Sequence, residues 1–148
     1  MKIQYVQNKL TADEFLMLRK SVGMHEKTFA QAQKALKNGL FSISAMHDNN
    51  IIGMGRLVGD GSMYWYIQDV AVLPEYQVKG IGKEIVLRLL EFIRANSQPG
   101  TVTTIGLMAA KGKEGFYSKL GFRSRPNENE DPGMVMNMEI GPKDHAQI

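Results

Sequence analysis

The chain has 148 residues, 43% hydrophobic and 22% charged, with 18 basic against 15 acidic side chains and a formal net charge of +3. That length suits a single domain over residues 1–148 with a core of its own, and the absence of cysteine excludes disulfides, thiolate metal sites and thiol nucleophiles. The basic excess is too small and too scattered to capture a nucleic acid, and no apolar stretch approaches the ~20 residues of a membrane-spanning helix, so a soluble cytoplasmic protein with neither kind of partner is expected.

Ile3 to Val6 is expected as a first strand. Thr11-Ala-Asp-Glu14 is a capping box, in which a hydroxyl and a carboxylate satisfy orphan amides at a helix start, and Phe15, Leu16 and Leu18 give that helix a buried face. Thr28-Phe-Ala-Gln31 repeats the device, and the second helix should end at Asn38-Gly39 with glycine in the left-handed conformation. Leu40–His47 and Ile51–Val58 read as strands joined by Asp48-Asn49-Asn50. Gly59-Asp60-Gly61 turns the chain into a long strand, Met63–Leu73, apolar on both faces in its middle and ended by Pro74.

From Ile81 to Ser97, the residues Ile81, Ile85, Val86, Leu89, Leu90 and Ile93 recur at helical spacing, and Pro99-Gly100 stops the helix. A strand over 102–109, a short helix over 113–120 closed by Gly121, and a final pair of strands, 122–125 and 134–140, complete the order. In the last of these, Met134, Met136, Met138 and Ile140 alternate with Val135, Asn137 and Glu139, which directs the methionines to the core. The fold class is therefore α/β, a mixed sheet with helices on both faces. An exposed strand near the C-terminus could support a homodimer.

The chemically informative segment is Asp69-Val-Ala-Val-Leu-Pro-Glu-Tyr-Gln-Val-Lys-Gly-Ile-Gly-Lys83. A strand stops at a proline, a turn with two glycines follows, and an amphipathic helix begins at once. First-turn amides of a helix have no internal partner, and with the helix dipole they suit a phosphate or pyrophosphate. Lys79 and Lys83 add positive charge. The dinucleotide fingerprint is excluded, because its third glycine is Ile85 here, and so is the Walker loop, which needs glycine at Gln77 and a hydroxyl at Glu84.

Gln77-Val-Lys-Gly-Ile-Gly82 fits Q/R-x-x-G-x-G/A, and Gly115-Phe-Tyr-Ser-Lys-Leu-Gly-Phe122 fits F-Y-x-K-x-G-F. Together, in this element order, the two resemble the GNAT superfamily of acyl-CoA-dependent N-acetyltransferases. The resemblance implies acetyl-CoA as co-substrate, held in a fork between strands 63–73 and 102–109. Main-chain groups of Val70, Ala71 and Val72 would pair with the pantetheine arm. Residues 77–83 (Gln77, Val78, Lys79, Gly80, Ile81, Gly82, Lys83) would hold the pyrophosphate. An amide near Val70 would polarise the thioester carbonyl.

By the same resemblance Tyr117 is the general acid that protonates the departing thiolate, with Phe116 beside it among the cofactor-binding residues. Asp69, a lone charge in mid-strand, is the candidate base or amine anchor. It would favour a small cationic amine as acceptor. Tyr64, Trp65 and Tyr66 could line the acceptor pocket. Val78 stands where glycine is common, so that position should avoid positive φ. His25, His47 and His145 lack metal-ligand spacing, and no metal is expected. The alternative reading is a non-catalytic acyl-CoA-binding sensor or interaction domain, or an enzyme acting on a protein amine.

Overall fold

Both predicted capping boxes form. In the first, the Glu14 amide donates to Thr11 Oγ1 (3.2 Å) while the Thr11 amide donates to Glu14 Oε1 (3.0 Å), and helix α1 runs Ala12–Ser21. In the second, Gln31 and Thr28 exchange the same bonds at 3.0 and 3.1 Å, and α2 runs Phe29–Asn38. Gly39 follows α2 with φ −71°, so its expected left-handed conformation is not adopted and the chain passes straight into a strand. The computed structural model describes residues Met1–Pro142. They divide into two compact units, one spanning Met1–Met108 and one starting at Ala109.

The first unit is built on a five-stranded sheet in sequential order: β1 (Gln4–Gln7), β2 (Phe41–His47), β3 (Asn50–Gly59), β4 (Tyr64–Val72) and β5 (Thr104–Gly106). The first four are antiparallel, and β5 lies parallel to β4. Asp48 and Asn49, both at positive φ (49° and 64°), form a two-residue hairpin turn, so Asn50 belongs to β3 rather than to the turn. Asp60 shapes the next turn, its Oδ1 accepting from the amides of Ser62, Met63 and Tyr64 at 2.8 to 3.0 Å. Those bonds, led by that of Tyr64, hold its carboxyl below the usual aspartate range.

The two faces of the sheet carry different helices. Met54 and Ala71 point to α1, where they join Phe15 and Leu18 in one cluster. Gly53 and Gly55 point to α3 (Ile81–Ala95), which buries Ile81, Ile85, Val86, Leu89 and Ile93. Each such fully buried aliphatic side chain is worth about 1.5–3 kcal/mol, so α3 is firmly seated. Phe92 stacks on Phe41 of β2, ring centroids 3.9 Å apart. At Gly55 the approach is so close that a Cβ would lie 2.7 Å from Ile85 Cγ2.

Three expectations are corrected. β4 is not covered on both faces along its first half: Trp65 and Ile67 are buried, whereas Tyr64 and Tyr66 are each 45% exposed, and only further on does Ala71 pack on α1. β5 is three residues long instead of eight, because its ladder with β4 stops at the pair Tyr66↔Gly106. The final strands over 122–125 and 134–140 do not form among the described residues. Met134, Met136, Met138 and Ile140 are exposed, not core. Alternation marks a potential face, but a strand also needs a neighbour to satisfy its main chain, and this segment has none among the described residues.

In the second unit, α4 (Glu114–Ser118) is shorter than the 113–120 expected and is followed by Gly121 at φ 101°. Arg123 then grips Glu130 through Nε (2.5 Å) and Nη2 (2.7 Å), closing the acidic loop.

Candidate functional site

The strand-to-helix turn predicted from sequence is present and carries a specific geometry. After β4, Pro74–Tyr76 form one 3₁₀ turn, closed by the Tyr76 amide on the Leu73 carbonyl (2.8 Å). Gln77 Nε2 donates to the Val72 carbonyl (2.9 Å), so its side chain braces the turn. Tyr76 Oη lies 2.7 Å from His47 Nδ1, and Lys79 Nζ sits 5.8 Å from the Tyr76 ring centroid. Gly80 is the N-cap of α3 at φ 81°, with no side-chain cap on the helix.

Val78 has φ 60°, contrary to the expectation that a valine there avoids positive φ, and its side chain is fully exposed. A β-branched residue in the left-handed region is strained, and such strain persists only where the surroundings impose it. Here two bonded turns fix the chain on either side: the Gln77 amide on Pro74 O (3.2 Å) and the Glu84 amide on Gly80 O (3.1 Å). Among the described residues, the amides of residues 78–83 have no acceptor. Lys79 and Lys83 are exposed beside them, whereas the Ile81 side chain is core and leaves only its main chain to a ligand.

Among the described residues, the strand leading into the turn is open on one edge. Pairing with β5 ends at Tyr66, and β4 runs on to Val72. The Leu73 amide bonds Ile52 O (2.8 Å) on the β3 side, and main-chain groups alternate along a ladder, so Val72 and Val70 turn theirs to the open edge. The β3 ladder also slips: Met54 pairs Ala71 but Arg56 pairs Gln68, so Asp69 and Val70 together oppose Gly55. This is a β-bulge, and Asp69 occupies it at φ 56°.

Asp69 is not an open carboxylate. Its side chain is 8% exposed, Oδ1 is held by Arg19 Nη1 from α1, and Oδ2 accepts from Arg56 Nε (2.7 Å) on β3. Arg19 Nη2 also donates to the His25 carbonyl (2.9 Å), and both guanidiniums lie 5.6 Å from the Phe15 ring centroid. The sequence reading of Asp69 as a lone charge misses both arginines. The available signal was Arg56 itself, a second lone charge in an otherwise apolar strand.

Of the aromatic trio, Trp65 packs edge-on against Phe92 (6.2 Å), and only Tyr64 and Tyr66 are open to solvent. A surface cleft of about 340 Å³ between α1 and α2, lined by Leu10, Phe29, Gln33 and Leu36 among others, includes none of the candidate catalytic or cofactor-binding residues. In the second unit, Tyr117 meets Phe116 and Phe122 edge-to-face, centroids 5.0 and 5.9 Å away. Burial pushes its phenol pKa above the ordinary value of 10.0. His25 and His47 lie in a loop and at a strand end, and His145 falls outside the described residues.

Residues 8–122 match the acetyltransferase (GNAT) family. The chain belongs to that family. It is 30% identical over 118 residues to the uncharacterized N-acetyltransferase ycf52 of Pyropia yezoensis, which covers 77% of the chain. The chain spans a little under two thirds, 66%, of that relative's length. Among solved structures, a protein of unknown function from meticillin-resistant Staphylococcus aureus, described as a probable acetyltransferase, superposes with a TM-score of 0.82 at 31% identity, over 93% of this chain and 100% of that one. A predicted acetyltransferase of Clostridium acetobutylicum, solved with acetyl-CoA, shares the fold at TM-score 0.69 and 18% identity, over 92% of this chain and 96% of that one. The mixed sheet flanked by helices is thus the GNAT architecture.

Proposed function

We propose that this GNAT chain transfers an acetyl group from acetyl-CoA directly to a primary amine. The observation that carries the reading is the row of unpartnered amides at residues 78–83, opening α3 beside the unpaired edge of β4. A diphosphate would be held by those amides and by the α3 dipole, with Lys79 and Lys83 adding charge. The pantetheine arm would lie along the Val70–Val72 edge as an added strand.

The chemistry asked of the protein is modest. The amine nitrogen attacks the thioester carbonyl carbon, a C–N bond forms, and the carbonyl electrons move to oxygen beside the Val70 amide. Their return breaks the C–S bond. By the family resemblance Tyr117 would give its phenolic proton to the leaving sulfur, and the proton lost by nitrogen would pass to solvent, from which the phenolate would recover one. A raised phenol pKa keeps Tyr117 protonated at neutral pH, as an acid must be.

A preference for a cationic acceptor would need a free carboxylate in the cleft. Asp69 does not supply one, since both of its oxygens are occupied. A small amine therefore remains the proposed acceptor class, without a charge preference assigned to Asp69. Cytoplasmic residence is likewise part of the proposal, and no described helix is long and apolar enough to cross a membrane.

Incubating the protein with isotopically labelled acetyl-CoA and a panel of amines tests the reading, alongside calorimetric titration with CoA. Labelled amide product with tight CoA binding is expected. Binding without turnover on any amine would favour a sensor, and absence of binding would remove the reading altogether.

A further inference from the structure

We infer that Arg19, Asp69 and Arg56 form a clamp that sets the β4 bulge and thereby aims the Val70 amide into the open fork. Asp69 on this view is a positioning residue and not the base. The inference rests on the acetyl-transfer reading for its functional half, while its structural half stands on the geometry alone.

A bulge leaves one residue outside the ladder and re-aims its neighbours, so some other contact must fix where they point. Asp69 is that residue, at φ 56°, a conformation that aspartate tolerates better than most side chains but that nothing in the ladder enforces. Its carboxylate is anchored from two directions, by a helix on the sheet's face and by the adjacent strand. Arg56 comes from the β3 position opposite Gln68, the last pair before the slip. Arg19 comes from the last turn of α1 and is itself tied to the His25 carbonyl. The Phe15 ring lies beside both guanidiniums at 5.6 Å. A carboxylate whose two oxygens each accept a guanidinium proton is poorly placed to take one from an amine. It is well placed to hold a backbone. Val70 is the next residue, and its main chain faces the edge that β5 leaves open.

The test compares the parent with Asp69→Asn, Arg56→Gln, Arg19→Gln and Arg56→Lys. In the cofactor-free protein, the Val70 amide resonance should shift in the first three and less in Arg56→Lys, which keeps the charge but offers no planar fork. In steady state, kcat should fall about ten- to a hundredfold, a part of what losing an oxyanion donor costs. The CoA dissociation constant should rise by less than kcat falls, about tenfold at most, because residues 78–83 still hold the diphosphate and only the Val70 end of the pantetheine edge moves, and the pH–rate profile should keep its shape. If the Gln variants do not fold, Arg56→Lys carries the test, with a smaller drop in kcat that still exceeds any loss of CoA affinity. An unmoved Val70 resonance, parental kcat in the arginine variants, or a pH profile displaced by Asp69→Asn overturns the clamp. Failure of the parent to bind CoA while the Val70 resonance still responds defeats the acetyl-transfer reading and with it the clamp's catalytic role, leaving the structural half standing.

Discussion

The side-chain amide Nε2 of Gln77 donates across 2.9 Å to the carbonyl of Val72, joining the end of β4 to the loop that precedes α3. The family motif places a glutamine or arginine here, and in this structure its side chain works on the protein's own backbone. Gln77→Leu should therefore cost about 1 kcal/mol of stability, one hydrogen bond's worth, read from urea denaturation. CoA affinity should fall several-fold as the turn loosens. A loss of affinity with stability fully intact would mean that Gln77 contacts the ligand instead.

Val78 and Gly80 both sit at positive φ, but only one of them is glycine. Val78→Gly should remove about 1 kcal/mol of strain, net of the entropy that glycine adds to the unfolded chain, and raise the thermal midpoint without weakening CoA binding. Gly80→Ala reverses the logic. No atom lies within 4 Å of a Cβ there, so the roughly 1–2 kcal/mol penalty is conformational, and calorimetry should show CoA binding weakened by about tenfold.

Tyr117→Phe should lower kcat by about a hundredfold, the lower end for loss of a general acid, with KM for acetyl-CoA nearly unchanged. The pH dependence has a definite sign. Burial raises the phenol pKa, the acid works only while protonated, and kcat therefore holds across neutral pH and declines only above pH 10. That alkaline limb should vanish in the phenylalanine variant. A parental limb below pH 10 would belong to another group.

Glu130 provides a titration independent of catalysis. The side-chain hydrogen bond from Arg123, aided by Asn127, lowers its pKa to about 2 from 4.5. A depressed folded value means that the contribution to stability is present above the unfolded pKa and is lost as pH falls from near 4.5 through about 2. Following the Glu130 side chain by NMR should place its midpoint near the lower value. Arg123→Ala should return it towards the ordinary glutamate range.

The turn after β4 was legible in the sequence because its signals are local: a proline, two glycines and a helical period within fifteen residues. Both helix caps were legible for the same reason. The Asp69 clamp was not, since its partners lie 50 and 13 residues away and only the fold decides which cations reach a bulge. The bulge itself is invisible in a pattern that reads as uninterrupted strand. Over 134–140 the opposite failure occurs, where a clean alternation exists without a ladder to join among the described residues. Of the aromatic run read as possible pocket lining, Trp65 is core while Tyr64 and Tyr66 are exposed, because over this stretch α3 covers only the face that Trp65 and Ile67 occupy.

Gly55 offers the sharpest test of how the sheet positions the anion loop. An added Cβ would stand 2.7 Å from Ile85 Cγ2 and 3.1 Å from Leu89 Cδ1, both on α3. Neither side chain has room to retreat, since each is fully buried. Gly55→Ala should thus act as overpacking, costing about 1–3 kcal/mol in chemical denaturation. Relief comes by lifting α3, whose first turn carries the free amides, so CoA affinity should drop together with stability. Pairing the change with Ile85→Leu, which has no methyl branch at Cβ and so takes away the clashing Cγ2, should restore part of both. If the double variant recovered stability but not binding, the seating of α3 on Gly55 would not be what sets the loop.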